Sequence, residues 1–337
     1  MPVPLRISVV VPTHQRRDCV ERLLYALSSQ TFSSEFFEAI ISIDGSTDST
    51  DEVVACFPAS YTLRSVWQPK RGRAAACNAG IRLASGELVV LLDDDMQPVP
   101  GFLQAHWVAH LADTSLGVLG AVPIVLTASS SPVTRYVGEK FNRHLERLEQ
   151  PGYRFRLRDF YSGNFSIRRE ILIAAGCFDE AFQIYGNEDL ELWRRLERLG
   201  VKLIYSPAAL AYQHYAKDFF GLARDKEAQG RTAVLLASKD PEMFHELKLS
   251  TYAQASVKWR LVRAMLLGMS RVSPLTPEVL MKFMNWTAVH HPNLFSYLCL
   301  PALDYFYWLG VRAALHQNRQ AGRGLTSLSK ATGSSRA

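Results

Sequence analysis

Apolar residues in the first two-thirds of the chain alternate between short β-branched runs and longer stretches with helical spacing. Ile7 to Val11 predicts a first strand, which we expect Pro12 to end. The next apolar residues recur at the spacing of one helix face, at Val20, Leu23, Leu24 and Leu27. Strands that alternate with amphipathic helices predict an α/β fold with a mainly parallel central sheet and helices on both of its faces.

The same pattern continues to about residue 212. Further strands are predicted at 39–43, 61–66, 88–92, 116–122, 203–205 and 210–212, and helices at 74–84, 100–111 and 187–199. The run 88–92 is apolar throughout, so we expect it at the centre of the sheet. Residues 127–158 are polar, charged and weakly periodic, which predicts a mobile segment at the active site.

Beyond residue 240 the sequence becomes helical and aromatic, without strand alternation. We therefore expect an α/β domain at 1–240, a C-terminal helical extension at 241–321 and a disordered tail at 322–337. Leu294 to Leu315 is apolar but a poor membrane span, because it contains Pro301, Asp304 and Arg312. It is either a packed helix or a helix at the membrane surface, held to anionic lipid by Arg312, Arg319 and Arg323.

Composition narrows the class of protein. The 337 residues suffice for one large domain and a smaller appendage. A net charge of +6 suits phosphate-bearing ligands, an anionic membrane or nucleic acid equally, but no nucleic-acid-binding module is recognisable. Five dispersed cysteines, with no Cys-x-x-Cys pair, favour a reducing compartment. Met1 to Arg6 lacks the features of a secretory signal, so we expect a cytoplasmic protein, with peripheral membrane contact as an open alternative.

Two predicted strands deliver acidic residues to one edge of the sheet. Asp44 follows the second strand, and Asp93, Asp94 and Asp95 follow the fourth. Ligands of open α/β sheets bind at the carboxyl ends of the strands. Three adjacent carboxylates repel one another unless a cation or a set of donors neutralises them. Their hard oxygens suit Mg²⁺ or Mn²⁺ bridging to a diphosphate, and the alternative is a solvated acidic turn.

Several motifs occur in a characteristic order and spacing. They are SVVVPTHQR at 8–16, DGSTD at 44–48, NAGI at 78–81, SGE at 85–87, LDDD at 92–95, GNFS at 163–166, GCFDE at 176–180 and GNEDLE at 186–191. Together they resemble the signatures of family-2 glycosyltransferases of the GT-A fold, over roughly residues 5 to 220. The resemblance implies a GT-A domain and metal-dependent, inverting transfer of a sugar from a nucleotide-sugar donor to a hydroxyl group.

The resemblance also implies roles for individual residues. The nucleotide-sugar site would contain Pro12, Thr13, Arg16, Asp44, Asp93 and Asp94, with Asp44 facing the base or ribose and Asp93 the ribose. Asp95, the last residue of the Asp-x-Asp motif, would ligate Mn²⁺ or Mg²⁺. His214 falls where several members carry a further metal ligand, although it is equally read as a packed, hydrogen-bonded histidine. Arg73 and Arg231 would donate to the phosphates or lie on the surface.

Glu188 and Asp189 stand at the start of a predicted helix, where the helix dipole favours their ionised forms. Inverting transfer needs a base that takes the proton of the acceptor hydroxyl. In the family the aspartate of this pair is the base, so Asp189 is predicted to be the catalytic base and Glu188 to orient the acceptor or metal side. The alternative is that the pair only caps the helix.

Three features depart from the family pattern. Ile43 precedes Asp44 where many members have a second aspartate, Cys77 replaces an arginine, and the chain has no Gln-x-x-Arg-Trp sequence. The last absence favours a single-addition enzyme over a polymer synthase. The acceptor would be a glycan, a polysaccharide precursor or a lipid-linked sugar.

The turn at 12–17 contains no glycine, which excludes a dinucleotide-binding dehydrogenase. A sugar nucleotidyltransferase and a catalytically silent nucleotide-sugar-binding module remain as alternatives.

Overall fold

A computed structural model of the chain describes residues 5–252 and 254–320. Its main sheet contains strands β1 Ile7–Thr13, β2 Phe37–Asp44, β3 Thr62–Gln68, β4 Leu88–Leu92, β6 Leu116–Gly120, β7 Asn164–Arg168 and β8 Lys202–Ser206. A small sheet pairs β5 Met96–Pro98 with β9 Ala211–Gln213. The main sheet has the order β3-β2-β1-β4-β7-β6-β8, in which β7 is antiparallel to its neighbours and the other pairs are parallel. This confirms the predicted mainly parallel α/β sheet.

The helices connect and follow these strands. They are α1 Arg17–Ser28, α2 Thr50–Cys56, α3 Arg73–Leu83, α4 Phe102–Ala109, α5 Pro132–Leu148, α6 Arg169–Ala174, α7 Glu188–Arg198, α8 Phe219–Lys239, α9 Met243–Glu246, α10 Val257–Val272, α11 Thr276–His290 and α12 Pro292–Gln320. Short 3₁₀ turns occur at Ser34–Phe36, Leu157–Asp159 and Lys248–Thr251.

Pro12 does not end the first strand, contrary to the prediction. β1 continues to Thr13, and Pro12 is in register with Ser42 of β2. The pairing of β1 with β4 stops at Val10, so the strand has only one neighbour at the proline. Proline is tolerated there because one side of the strand needs no ladder hydrogen bond.

The segment 127–158 contains a helix where a mobile segment was predicted, so that prediction is wrong for its central part. Pro132 begins α5 at the position where a missing N–H costs nothing. Apolar side chains recur at helical spacing between charged ones, and the buried members include Val133, Leu145 and Leu148. The many charged residues on its other face hid this periodicity in the sequence.

One compact unit comprises 1–126, 138–183 and 188–215, and it contains both sheets. β4 lies between β1 and β7 and is fully buried, which confirms its predicted central position. Helix α3 packs closely on the sheet, because a Cβ atom at Gly80 would overlap the side chains of Val10 and Ser42. Arg73, the first residue of α3, contacts Asp93, which directly follows β4.

The second compact unit comprises 127–137, 184–187 and the chain from Ala216. It therefore takes in α8, whereas the sequence places the domain boundary after this helix, at residue 240. Helices α8 and α12 contact through two glycines: a Cβ at Gly230 would overlap the carbonyl oxygen of Tyr307, and one at Gly310 would overlap that of Glu227. The predicted tail at 322–337 lies outside the described residues.

Helix α12 covers the apolar segment in which a packed helix or a membrane-surface helix was expected. Its length and its mean hydropathy of 1.2 would allow it to cross a bilayer, but 56% of that apolar stretch is buried inside the protein. Phe295, Tyr305 and Phe306 are among its buried side chains. Burial of this kind is typical of a core helix of a folded protein, so the helix is weak evidence for a membrane span.

Candidate active site

The three predicted acids follow β4 at the carboxyl edge of the main sheet. The backbone N–H of Asp93 donates to the carbonyl oxygen of Gly163 at 3.0 Å, just before β7. A Cβ atom at Gly163 would overlap Oδ2 of Asp93. The carboxylate of Asp93 therefore lies directly over the backbone at residue 163, and only glycine leaves room for it.

Asp94 and Asp95 share one guanidinium. Nη1 of Arg16 donates to Oδ1 of Asp94 at 3.2 Å and to Oδ2 of Asp95 at 3.1 Å. Thr13 Oγ1 donates to the other oxygen of Asp94 at 2.8 Å. Three predicted nucleotide-site residues, Thr13, Arg16 and Asp94, are thus brought together with the predicted metal ligand Asp95, and Pro12 lies next to Thr13 at the end of β1.

Both aspartates are buried, with 7% of Asp94 and 6% of Asp95 exposed. Burial raises the pKa of Asp94 to about 7 against the opposing effect of Arg16, and the charge of Asp95 raises it further. Burial, followed by the charge of Asp93, also raises the pKa of Asp95. Burial is the main cause of both shifts, and a cation bound at these oxygens would lower both pKa values.

Arg73 connects this acidic edge to the start of α7. Its Nη2 donates to Oδ1 of Asp93 at 2.7 Å, and its Nη1 donates to Oδ1 of Asp189 at 3.1 Å. Oε1 of Glu188 lies 3.9 Å from the same Nη1. Arg73 was predicted to donate to phosphates, and the structure places its side chain between the donor-side acid and the predicted base.

Ser162 completes this second group. Its hydroxyl donates to Oδ1 of Asp189 at 2.5 Å and accepts from Nη1 of Arg73 at 2.9 Å. Ser162 is not among the predicted site residues, although it immediately precedes the GNFS motif. The Asp189 side chain is 27% exposed, whereas that of Glu188 is 3% exposed. Of the predicted pair, Asp189 is therefore the carboxylate that an incoming ligand can reach.

Asp44 is buried and bound to the chain's own donors. Its Oδ1 accepts from Gln68 Nε2 and from the N–H of Arg71, and its Oδ2 accepts from the N–H of Gly72, each at 2.8 Å. These bonds fix the loop that leads into Arg73. The expected contact of Asp44 with a base or ribose would use its remaining lone pairs.

His214 is adjacent to Asp95 through the backbone, and its ring contacts another residue. Its N–H donates to the carbonyl oxygen of Asp95 at 2.9 Å, whereas its ring Nε2 lies 2.7 Å from Oε1 of Gln97. Burial lowers the pKa of His214, with Arg22 adding to the effect, so the ring is neutral at pH 7. Gln213 Nε2 lies 3.3 Å from both carboxylate oxygens of Asp95. This glutamine was also missed, although it directly precedes the predicted histidine.

A divalent cation is compatible with this donor set. Within residues 5–252 and 254–320, no three His, Cys, Asp or Glu side chains form a complete metal-binding group. Mg²⁺ usually binds one or two carboxylates, together with substrate phosphates and water, so a complete protein cage is not required. The carboxylate of Asp95 is buried, and its pKa is raised mainly by that burial, so its oxygens fit such a partial site.

Comparisons with known proteins show the family of the chain. Glycosyl transferase family 2 matches residues 8–176, and the N-terminal domain of galactosyltransferase matches 143–217. The chain belongs to glycosyl transferase family 2. The two matches together include every predicted site residue except Arg231, which donates to Glu227 Oε1 at 2.8 Å.

Relatives with named activities align with about three-fifths of the chain. Validoxylamine A glucosyltransferase of Streptomyces hygroscopicus subsp. jinggangensis is 32% identical over 228 residues, which are 60% of this chain and 54% of that protein. Chondroitin synthase of Escherichia coli is 26% identical over 61% of this chain and 34% of its own length. The chain spans about half the length, or less, of these curated relatives.

A solved structure extends the similarity to most of the chain. The mannosyltransferase PcManGT of Pyrobaculum calidifontis, solved with GDP-Man and Mn²⁺, has a TM-score of 0.61 at 19% identity and covers 93% of this chain and 87% of its own. At this identity the similarity concerns the fold alone. It confirms the GT-A fold and the C-terminal helical part that the sequence predicts.

Proposed function

We propose that this protein is an inverting glycosyltransferase that moves a sugar from a nucleoside-diphosphate sugar to an acceptor hydroxyl. One observation carries the proposal: Arg73 holds Asp93, at the carboxyl edge of the sheet, and Asp189, at the start of α7, on one guanidinium. An acidic donor site and a reachable carboxylate base thereby face the same small region. Membership of glycosyl transferase family 2 supports the reaction class.

The donor would bind at the carboxyl edge of the main sheet. We assign Pro12, Thr13, Arg16, Asp44, Arg73, Asp93 and Asp94 to the nucleotide-sugar site. Arg16, which contacts Asp94 and Asp95, would donate to the diphosphate from the same position. PcManGT, which shares this fold, was solved with GDP-Man, which supports a nucleoside-diphosphate sugar as donor.

Asp95 would hold Mn²⁺ or Mg²⁺, and His214 would join it if its ring leaves Gln97. Such a cation stabilises negative charge on the leaving diphosphate. Gln213 and Arg16 hold the carboxylate of Asp95 in place. The solution of PcManGT with Mn²⁺ supports a divalent cation for this fold.

Asp189 would accept the proton of the acceptor hydroxyl as that hydroxyl attacks the anomeric carbon. Within the described residues, the hydrogen bonds from Arg73 and Ser162 both fall on its Oδ1. We therefore assign the incoming proton to Oδ2. Glu188 is buried beside Arg73 and would orient the acceptor side through that guanidinium.

The acceptor would be a glycan, a polysaccharide precursor or a lipid-linked sugar. The names of the relatives support a sugar-bearing or polyhydroxy acceptor, and the missing Gln-x-x-Arg-Trp sequence supports addition of single sugars. A cytoplasmic location, with peripheral contact at the inner face of the membrane, remains part of this proposal.

The reaction class is tested by incubating the protein with a panel of nucleotide sugars and of polyhydroxy acceptors, with and without Mn²⁺, and measuring what is released. Release of a nucleoside diphosphate, dependent on Mn²⁺, is the expected result. Release or consumption of pyrophosphate would instead identify a nucleotidyltransferase. Binding of nucleotide sugar without any turnover would identify a silent binding module.

A further inference from the structure

Exposed apolar side chains are concentrated on one part of the second unit. Of the 22 large apolar side chains that are exposed in the described residues, nine lie before residue 216 and the other 13 lie at 257–300. We call these 13 side chains the outer face. They are Val257, Leu261, Met265, Met269, Val272, Leu275, Val279, Phe283, Trp286, Val289, Leu294, Tyr297 and Leu300.

The outer face is distinct from the core of this unit. Leu261, Met265 and Met269 of α10 are four residues apart and form one exposed stripe. The inner sides of the same helices pack into an apolar cluster that contains Met284 and Phe295. Tyr297 of α12, a member of the outer face, is in ring contact with Trp259 of α10, with centroids 5.8 Å apart, so the two helices adjoin there.

The charges around the outer face are almost all positive. Residues 254–303 contain one acidic residue, Glu278, which pairs with Lys282 at 2.8 Å. Arg260 and Arg271 are exposed and lie three helical turns apart, so they border the same side of the α10 stripe. Lys258, also exposed, reaches the hydroxyl of Tyr297 at 3.0 Å.

We propose that the outer face binds the surface of an anionic phospholipid membrane. Its apolar side chains would enter the boundary between headgroups and acyl chains, and Lys258, Arg260 and Arg271 would contact lipid phosphates. A symmetric dimer through this face would bring the same positive charges together with few acidic partners. A membrane with anionic headgroups satisfies the apolar and the basic side chains together.

Only three of the 13 side chains of the outer face lie in the segment 294–315 to which the sequence assigned a membrane contact. Arg312, expected to hold lipid, instead donates to the carbonyl oxygen of Leu267 and to Ser270 Oγ inside the unit. Arg323 lies outside the described residues. Membrane binding itself does not depend on the proposed function. Only its role, which is to bring the enzyme to a lipid-linked acceptor, rests on that function.

The test is flotation of the full chain with phosphatidylglycerol-containing vesicles and with phosphatidylcholine vesicles. We expect binding to the anionic vesicles, and a Met265→Glu/Met269→Glu variant to partition at least about tenfold less, because two exposed apolar contacts become negative charges. The matched control is Val108→Glu/Ile173→Glu, which makes the same charge change at exposed residues of the first unit and should bind like the parent.

An Arg260→Ala/Arg271→Ala variant should bind about tenfold to thirtyfold more weakly, at roughly 1 kcal/mol for each basic residue. Failure of the parent to float with anionic vesicles, or equal flotation of the Met265→Glu/Met269→Glu variant, would overturn the proposal. Light scattering provides a second test. A parent that is a dimer and binds no vesicles, together with a monomeric Met265→Glu/Met269→Glu variant, would also overturn the proposal. Nucleoside diphosphate release without vesicles, measured on the same samples, reports separately on the proposed function.

Discussion

Single residues at the sheet edge make contacts within the protein that could not be predicted from the sequence. Asp44 and Arg73 were both assigned to the donor, yet Asp44 holds the loop before α3 and Arg73 joins Asp93 to Asp189. The acidic motifs identify these positions, because carboxylates after buried strands are conspicuous in a sequence. Their partners cannot be predicted in the same way, since Arg73 and Asp189 are 116 positions apart and meet only through the fold.

We expect Arg73→Lys to lower kcat by about tenfold to a hundredfold, because a single ammonium group cannot contact Asp93 and Asp189 with the geometry of a guanidinium. Arg82→Lys, on the exposed side of α3, is the matched control and should leave kcat unchanged. Steady-state kinetics with saturating donor measures both variants. An unchanged kcat in Arg73→Lys would show that the bridge has no part in positioning the base.

The pH dependence of stability should reflect Asp94. The folded protein holds its proton up to about pH 7, whereas the ordinary value is 3.8. Between these pH values the folded state holds a proton that the unfolded state has lost. The free energy of unfolding therefore falls as the pH rises toward 7, by roughly 1.4 kcal/mol per pH unit.

Because asparagine does not ionise, Asp94→Asn should remove this loss. Its melting temperature, measured in chelator from pH 5 to pH 8, should rise relative to the parent as pH increases. Asp51→Asn, an exposed acid in the first turn of α2, should show no such trend. A constant difference between Asp94→Asn and the parent across this range would contradict the assigned burial effect.

At the scale of elements, the periodicity of apolar residues predicted most strands and helices. It failed at the end of β1 and at α5, where the fold rather than the local sequence decides the structure. Pro12 continues β1 because only β2 pairs with the strand at that position, so the missing N–H removes no hydrogen bond to β4. Helix α5 was hidden because charged residues dominate its composition, although a narrow apolar face decides its folding.

The contact between α8 and α12 is a second feature that only the structure reveals. Gly230→Ala or Gly310→Ala should lower the free energy of unfolding of the second unit by about 1–3 kcal/mol, because the added methyl group would overlap a backbone carbonyl of the facing helix. This loss exceeds the gain in helix propensity of about 1 kcal/mol.

Gly268→Ala is the matched control for these substitutions, because nothing lies within 4 Å of a Cβ atom there. It should raise the melting temperature slightly through helix propensity. Thermal unfolding followed by circular dichroism compares the three variants. Equal effects at all three glycines would mean that α8 and α12 do not approach each other as described.

For the whole molecule, sequence motifs predicted the fold class and the acidic edge of the sheet, because the carboxyl ends of parallel strands lie at the same edge. The extent of the second unit could not be predicted in this way. Its parts come from 127–137, 184–187 and the chain after Ala216, and they are brought together by long-range packing. The sugar, the nucleotide and the acceptor depend on the shape of the site rather than on motif order.

The central claim is that a carboxylate base at Asp189 acts on an acceptor opposite a donor held at Asp93 to Asp95. The most direct test is the kcat of Asp189→Asn for sugar transfer, with Glu197→Gln, an exposed change on the same helix, as its control. We predict that Asp189→Asn lowers kcat at least about a hundredfold, while the donor KM changes little and Glu197→Gln behaves like the parent. A folded Asp189→Asn variant that transfers sugar at the parent rate would contradict the account.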